Sequence, residues 1–328
     1  MRSHLSIFSF KRENPLAALW IFLAAVILIE SMLAFVPDHS LLTNLRSRSV
    51  PTKSPDWLIM GDSVAQGGII ATQLETFLPP GQFVYNMATP SAGPEFPYFQ
   101  LKRTIDAGES PKSIILAPSP HTFMSKRVPL LVGAYCTWPE IAQVTSSGLE
   151  PIETLYGVLC RFSYTLRNRE QIFSFLKTGH FMEAKEGTVV VKTLTANNPN
   201  HIRHWTLDEL DARYKQPFTV QEFNYYYLNE FFNLASAHQI PVYWVTLPEM
   251  PVVEQCRQQY DFNTGYYRFI DGLEQEHQIR FLQRDFLVWN EANFIDQTHL
   301  SPDAAEKFTR IIGENLQKNR LANTLAGR

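Results

Sequence analysis

The sequence predicts an α/β protein: a three-layer α/β/α domain on a parallel five-stranded sheet, preceded by one N-terminal transmembrane helix. Three observations predict it. A nearly unbroken apolar run fills residues 16–36. Beyond residue 56, short apolar runs alternate with longer helical stretches, as in a parallel sheet covered on both faces. Two polar clusters, one after the first strand and one after the last, fall where such sheets gather functional groups, at the carboxyl ends of strands.

The apolar run extends from Leu16 to Val36 and is interrupted only by Glu30 and Ser31. At 1.5 Å per residue it spans roughly 30 Å, the thickness of a bilayer's hydrocarbon core. A cleaved signal peptide is the rival reading, but no clear small-x-small cleavage site follows Ser31, so the run reads as an uncleaved signal anchor. Lys11 and Arg12 abut it, whereas Arg46, Arg48 and Lys53 lie farther off. That proximity places residues 1–15 in the cytoplasm and the bulk of the chain on the extracytoplasmic, periplasmic side of a cell membrane. Glu30, near the outer end, reads as a tolerated carboxylate. Residues 37–56, with Pro37, Pro51 and Pro55, read as a linker.

Strands are expected at 57–61, 83–87, 113–117, 241–247 and 281–284, and helices at 64–77, 95–107, 220–238, 252–274 and 302–318. They make one domain over 57–318, with a frayed tail at 319–328. Residues 120–215 break the rhythm and read as an insertion over the active-site edge. It is helical at about 140–145 and 151–176, with an apolar run at 188–191 and a polar stretch at 196–204. Composition narrows the function. The 328 residues are 45 % hydrophobic, which excludes a disordered chain. Lys plus Arg total 29 against 32 Asp plus Glu, a net charge of -3 that argues against a nucleic-acid partner. The three cysteines form no CxxC pair, and no GxxxxGK[ST] run occurs. In an exported domain, Cys136 and Cys160 are candidates for a disulfide, with Cys256 left over.

The chemistry sits in two clusters. Ser63, in Gly61-Asp62-Ser63-Val64, follows a strand and opens a helix. Its hydroxyl stands at the strand's carboxyl end, where amide N–H groups stabilise developing negative charge. A simple N-cap by Ser63 or Asp62 competes with this reading. Asp296-Gln297-Thr298-His299-Leu300-Ser301 opens the last helix. Asp and His three apart let the carboxylate accept from Nδ1–H and leave Nε2 as a base. Helix capping competes here too. Together the clusters supply a serine, the base it needs and the orienter of that base.

Gly61-Asp62-Ser63, the Asn86–Gly93 segment and Asp296-x-x-His299-Leu300 resemble blocks of the SGNH/GDSL hydrolase superfamily over roughly residues 57–318. The resemblance implies a flavodoxin-like sandwich and a serine hydrolase that acts on ester bonds without a metal or other cofactor. It implies Ser63 as nucleophile, His299 as general base and Asp296 as its orienter. It also implies oxyanion-hole donors: the N–H of Ser63, that of Gly93 with Ser91 as an alternative by spacing, and weakly Ser119. The family's third block, Gly-x-Asn-Asp, is replaced here by Pro118-Ser119-Pro120-His121, so the Asn donor is missing and Ser119 or His121 is left to substitute. The architecture also resembles envelope proteins that accompany polysaccharide O-acetylation. The expected substrate is therefore an O-acyl ester, chiefly an O-acetyl ester, of a cell-envelope carbohydrate. The alternatives are an O-acetyltransferase working with a membrane-bound acyltransferase partner, and a non-catalytic envelope binding protein on the same fold.

Other features read as structural. His201 and His204 lack companions for a metal set. Tyr225–Tyr227 and Phe231-Phe232 have core spacing. Trp138 and Trp205 are candidates for stacking on a sugar ring. Asp62 reads as a structural hydrogen-bonding residue beside the nucleophile.

Overall fold

Runs such as Trp57-Leu58-Ile59-Met60 are apolar at every position because both faces of the sheet are covered. The computed structural model describes residues 15–33, 54–124, 129–148, 151–178, 206–210 and 212–326. In it, β1 (Trp57–Gly61), β2 (Val84–Asn86), β3 (Ser113–Ala117), β4 (Val242–Val245) and β5 (Arg280–Gln283) form one sheet. Every pairing is parallel and the order is β2-β1-β3-β4-β5. This is the flavodoxin-like order, with its switch point between β1 and β3. The strands stand at the five expected places.

Alternate residues feed two cores. Leu58, Met60, Ile114, Leu116 and Trp244 face the helices Glu95–Asp106, Glu222–Ala237 and Phe262–His277. Trp57, Ile59, Ile115, Tyr243 and Val245 face the helices Ser63–Gly68 and Pro302–Ala326. Tyr227, Phe231 and Phe232 are buried, as their spacing predicts, whereas Tyr225 is half-buried and Tyr226 is exposed.

Three helical expectations need correction. Residues 64–77 form two helices, Ser63–Gly68 and Ala71–Glu75. Gly67-Gly68 followed by β-branched Ile69-Ile70 carries too little helix propensity to bridge them, and both isoleucines are extended. Residues 252–274 divide into Pro251–Gln259 and Phe262–His277 at Asp261, whose φ is 52°. The last helix runs to Ala326 rather than fraying after 318, since no glycine or proline falls between residue 318 and Gly327.

The N-terminal helix covers Pro15–Leu33. Its window Leu16–Leu33 is long and apolar enough to cross a membrane, and none of it is buried within the protein. Residues 34–36 of the expected span lie outside the described residues, as does most of the linker. The insertion supplies the helices Pro129–Tyr135, Trp138–Ser146, Pro151–Phe162, Tyr164–Arg167 and Arg169–Thr178. The 188–191 run, His201, His204 and Trp205 fall outside the described residues. Cys136, Cys160 and Cys256 are all free and buried, so the expected Cys136–Cys160 bridge is absent. Burial pushes the Cys136 thiol well above its ordinary value.

Candidate active site

β1 ends at Gly61, whose φ is +152°. A Cβ there would stand 2.4 Å from the carbonyl oxygen of Ala117 on β3. Only glycine lets the chain leave the sheet this close to its neighbour. Asp62 follows, 5 % exposed, and caps the Ser63–Gly68 helix by accepting from Val64 N–H at 2.9 Å. Its second oxygen accepts from the Ser119 N–H at 3.0 Å, the Thr122 hydroxyl at 2.8 Å and the Ser119 hydroxyl. Asp62 therefore ties the end of β1 to the loop after β3. This agrees with its expected structural role.

The same contacts correct the reading of Ser119. Both its N–H and its O–H point at Asp62, so neither is directed to a substrate oxyanion. His121 is buried with its ring edge-on to Tyr214, centroids 4.0 Å apart. The loop after β2 is pinned to β1 by Thr89 N–H donating to Gly61 C=O at 2.9 Å. Within it Ser91 is an exposed turn residue with φ 59°, whereas Gly93 shares a cavity with Gly61, Pro118 and Phe123.

The second cluster is held by a short antiparallel bridge between Phe294 and Leu300. Ile295 N–H donates to His299 C=O at 2.9 Å, and Leu300 is buried in the core beneath. Asp296 accepts from the N–H groups of Thr298 and His299 at 2.9 and 2.8 Å. Its carboxylate oxygens also lie 3.0 and 2.8 Å from His299 Nδ1. A carboxylate only accepts, so Nδ1 carries the proton and Nε2 is left as the acceptor. His299 Nε2 stands 2.9 Å from Ser63 Oγ, 236 residues away in the chain.

Electrostatics fit the geometry. Burial pulls the His299 pKa down, but the hydrogen bond and charge of Asp296, with the charge of Asp62, prevail and hold it above its ordinary 6.5. Burial works to raise Asp296, yet its bonds from the His299 ring and two backbone N–H groups keep it below its ordinary value. The arrangement can deprotonate a serine hydroxyl and stabilise the imidazolium that results.

Two cavities are lined by chain neighbours of these residues. One, a small apolar hollow of about 300 Å³ including its open mouth, is bounded by Gly61, Gly93, Pro97, Pro118 and Phe123. The other, of about 410 Å³ including its mouth, is bounded by Val64, Ser119 and Thr298 and also by Tyr214, Glu249, Arg257 and Phe286. Arg257 is 1 % exposed, lies over the Phe286 ring at 3.3 Å, and is paired with Glu249 and Glu254. Its Nε and Nη1 make no hydrogen bond among the described residues. Sequence reasoning missed this pocket. Its one local signal is an arginine on the buried stripe Val253, Cys256, Arg257 of an otherwise ordinary helix.

Comparison with known proteins adds little to this geometry. A family model bearing no descriptive name matches residues 193–321. No curated protein matches the chain. Among solved structures the chain is similar to a protein from Desulfitobacterium hafniense DCB-2 described as lipolytic and of the G-D-S-L family. Identity is 10 %, coverage is 79 % of this chain and 99 % of that one, and the TM-score is 0.35. Among the described residues no group of His, Cys, Asp or Glu could hold a metal ion.

Proposed function

We propose that this chain is a membrane-anchored serine hydrolase of the SGNH type that cleaves O-acyl esters. The observation that carries the reading is the 2.9 Å approach of Ser63 Oγ to His299 Nε2, with Asp296 on the opposite ring nitrogen. In this mechanism Ser63 Oγ attacks the ester carbonyl carbon as His299 Nε2 takes its proton. The carbonyl oxygen gains negative charge facing the N–H groups of Ser63 and Gly93. Collapse expels the alcohol, which receives the proton from His299, and leaves an acyl-serine. Water, deprotonated by the same imidazole, then releases the acid and restores Ser63.

The apolar cavity at Gly93 suits a short acyl group such as acetyl. The neighbouring pocket, with an aromatic wall and a buried guanidinium already balanced by carboxylates, suits an uncharged hydroxyl-rich alcohol such as an envelope carbohydrate. The helix Pro15–Leu33 crosses the cell membrane, and the basic residues beside it put the hydrolase domain on the extracytoplasmic side.

Release of acetate from an activated acetyl ester and from acetylated glycans tests the proposal. The wild type is expected to exceed Ser63→Ala by at least about 1000-fold. Equal turnover by the two contradicts it. Acetate appearing only on an added glycan, and not in water, makes the protein a transferase instead.

A further inference from the structure

Glu30 is not idle at the end of the N-terminal helix. Its carboxylate accepts from the Ser163 hydroxyl and the Tyr164 N–H, each at 2.7 Å. Ser163 is the break between the helices Pro151–Phe162 and Tyr164–Arg167. A carboxylate about 4.5 Å short of the helix end at Leu33 would be costly in hydrocarbon without partners. The insertion brings those partners to it, and so brings itself to the level of the bilayer surface.

The helices Pro151–Phe162 and Arg169–Thr178 carry large apolar side chains that stay mostly exposed among the described residues. Ile152, Leu155, Leu159 and Phe162 recur at three- and four-residue spacing along one face, and Phe162 is 68 % exposed. Phe173 and Leu176 add a second pair on the helix Arg169–Thr178. This is not a core face turned outward by accident. The inner face of Pro151–Phe162 is a close crossing at Gly157, where a Cβ on Gly133 would stand 1.8 Å from the Gly157 backbone. Gly157 lies about 180° around the helix from the centre of the apolar stripe. Trp138, half exposed, stacks on Phe162 with centroids 6.2 Å apart, and tryptophan favours the headgroup level.

We infer that the face formed by Ile152, Leu155, Leu159 and Phe162, with Phe173 and Leu176, lies in the headgroup–acyl boundary of the bilayer that the N-terminal helix crosses. The inference rests on reading that helix as a span. The lipid surface is the occupant because the patch is continuous, through Glu30 and Ser163, with a helix that already needs one. The protein is thus held by a span and by an amphipathic shelf beside it.

Photocrosslinking of the full chain in its own membranes tests this. p-Benzoylphenylalanine is placed singly at Leu155, Leu159, Trp20 or Glu314, the last an exposed polar site on the globular domain. Lipid adducts at Leu155 and Leu159 are expected to approach the yield at Trp20 and to exceed that at Glu314 by at least about tenfold. Lipid adducts at Trp20 with only background at Leu155 and Leu159 overturn the shelf and leave the span standing. Adducts from Leu155 and Leu159 to a second protein, in place of lipid, overturn it in favour of a protein partner. Background at Trp20 overturns the span itself.

Discussion

Asp62 and Asp296 are two carboxylates with different duties, set by their neighbours. Asp62 accepts from two backbone N–H groups and two hydroxyls and is committed to holding loops. Asp296 accepts from the imidazole that faces Ser63. In the proposed mechanism only neutral His299 acts as a base, and its pKa is raised, so it stays protonated and idle to higher pH than an ordinary imidazole. The kcat/KM for an acetyl ester should therefore rise with pH through a midpoint above 6.5, the ordinary histidine value. Asp296→Asn removes the charge that opposes burial, so the midpoint should move down. Where that variant turns over too slowly, NMR titration of the His299 ring reads the same shift. A wild-type midpoint at or below 6.5, or one unmoved by Asp296→Asn, contradicts this electrostatic account.

At the scale of elements, the strand-to-helix turn after β1 is built on one glycine. Gly61→Ala would drive a methyl group into the Ala117 carbonyl and hold alanine at a φ suited to glycine. Overpacking and backbone strain should together cost about 2–4 kcal/mol. Gly81 also has positive φ, but nothing lies within 4 Å of its would-be Cβ, so Gly81→Ala should cost only about 1 kcal/mol. Denaturant unfolding of both variants checks this, and equal midpoints would contradict it. These elements show what was legible in the sequence. The strands could be read because each is an apolar run bounded by turn residues, and Asp296-x-x-His299 because three-residue spacing on a turn is a local geometry. The helix break at Ile69-Ile70 depends on a weak summed propensity. The pairing of Glu30 with Ser163 joins distant segments and leaves no local periodicity to read.

The whole molecule is what makes the site. Ser63 follows the first strand and His299 the last, and the 2,1,3,4,5 order of the parallel sheet brings both to one edge. Neither segment holds an activated serine alone, because a serine hydroxyl without its base is a weak nucleophile. The N-terminal helix, long and apolar enough to cross a membrane, is joined to the insertion through Glu30. Labelling by a fluorophosphonate, which reacts only with an activated serine, tests the central claim most directly. The folded full chain should be labelled at Ser63, as located by peptide mass spectrometry. Ser63→Ala, His299→Ala and the heat-denatured wild type should all fail to label. An unlabelled folded wild type, or labelling that persists in Ser63→Ala, would contradict the account.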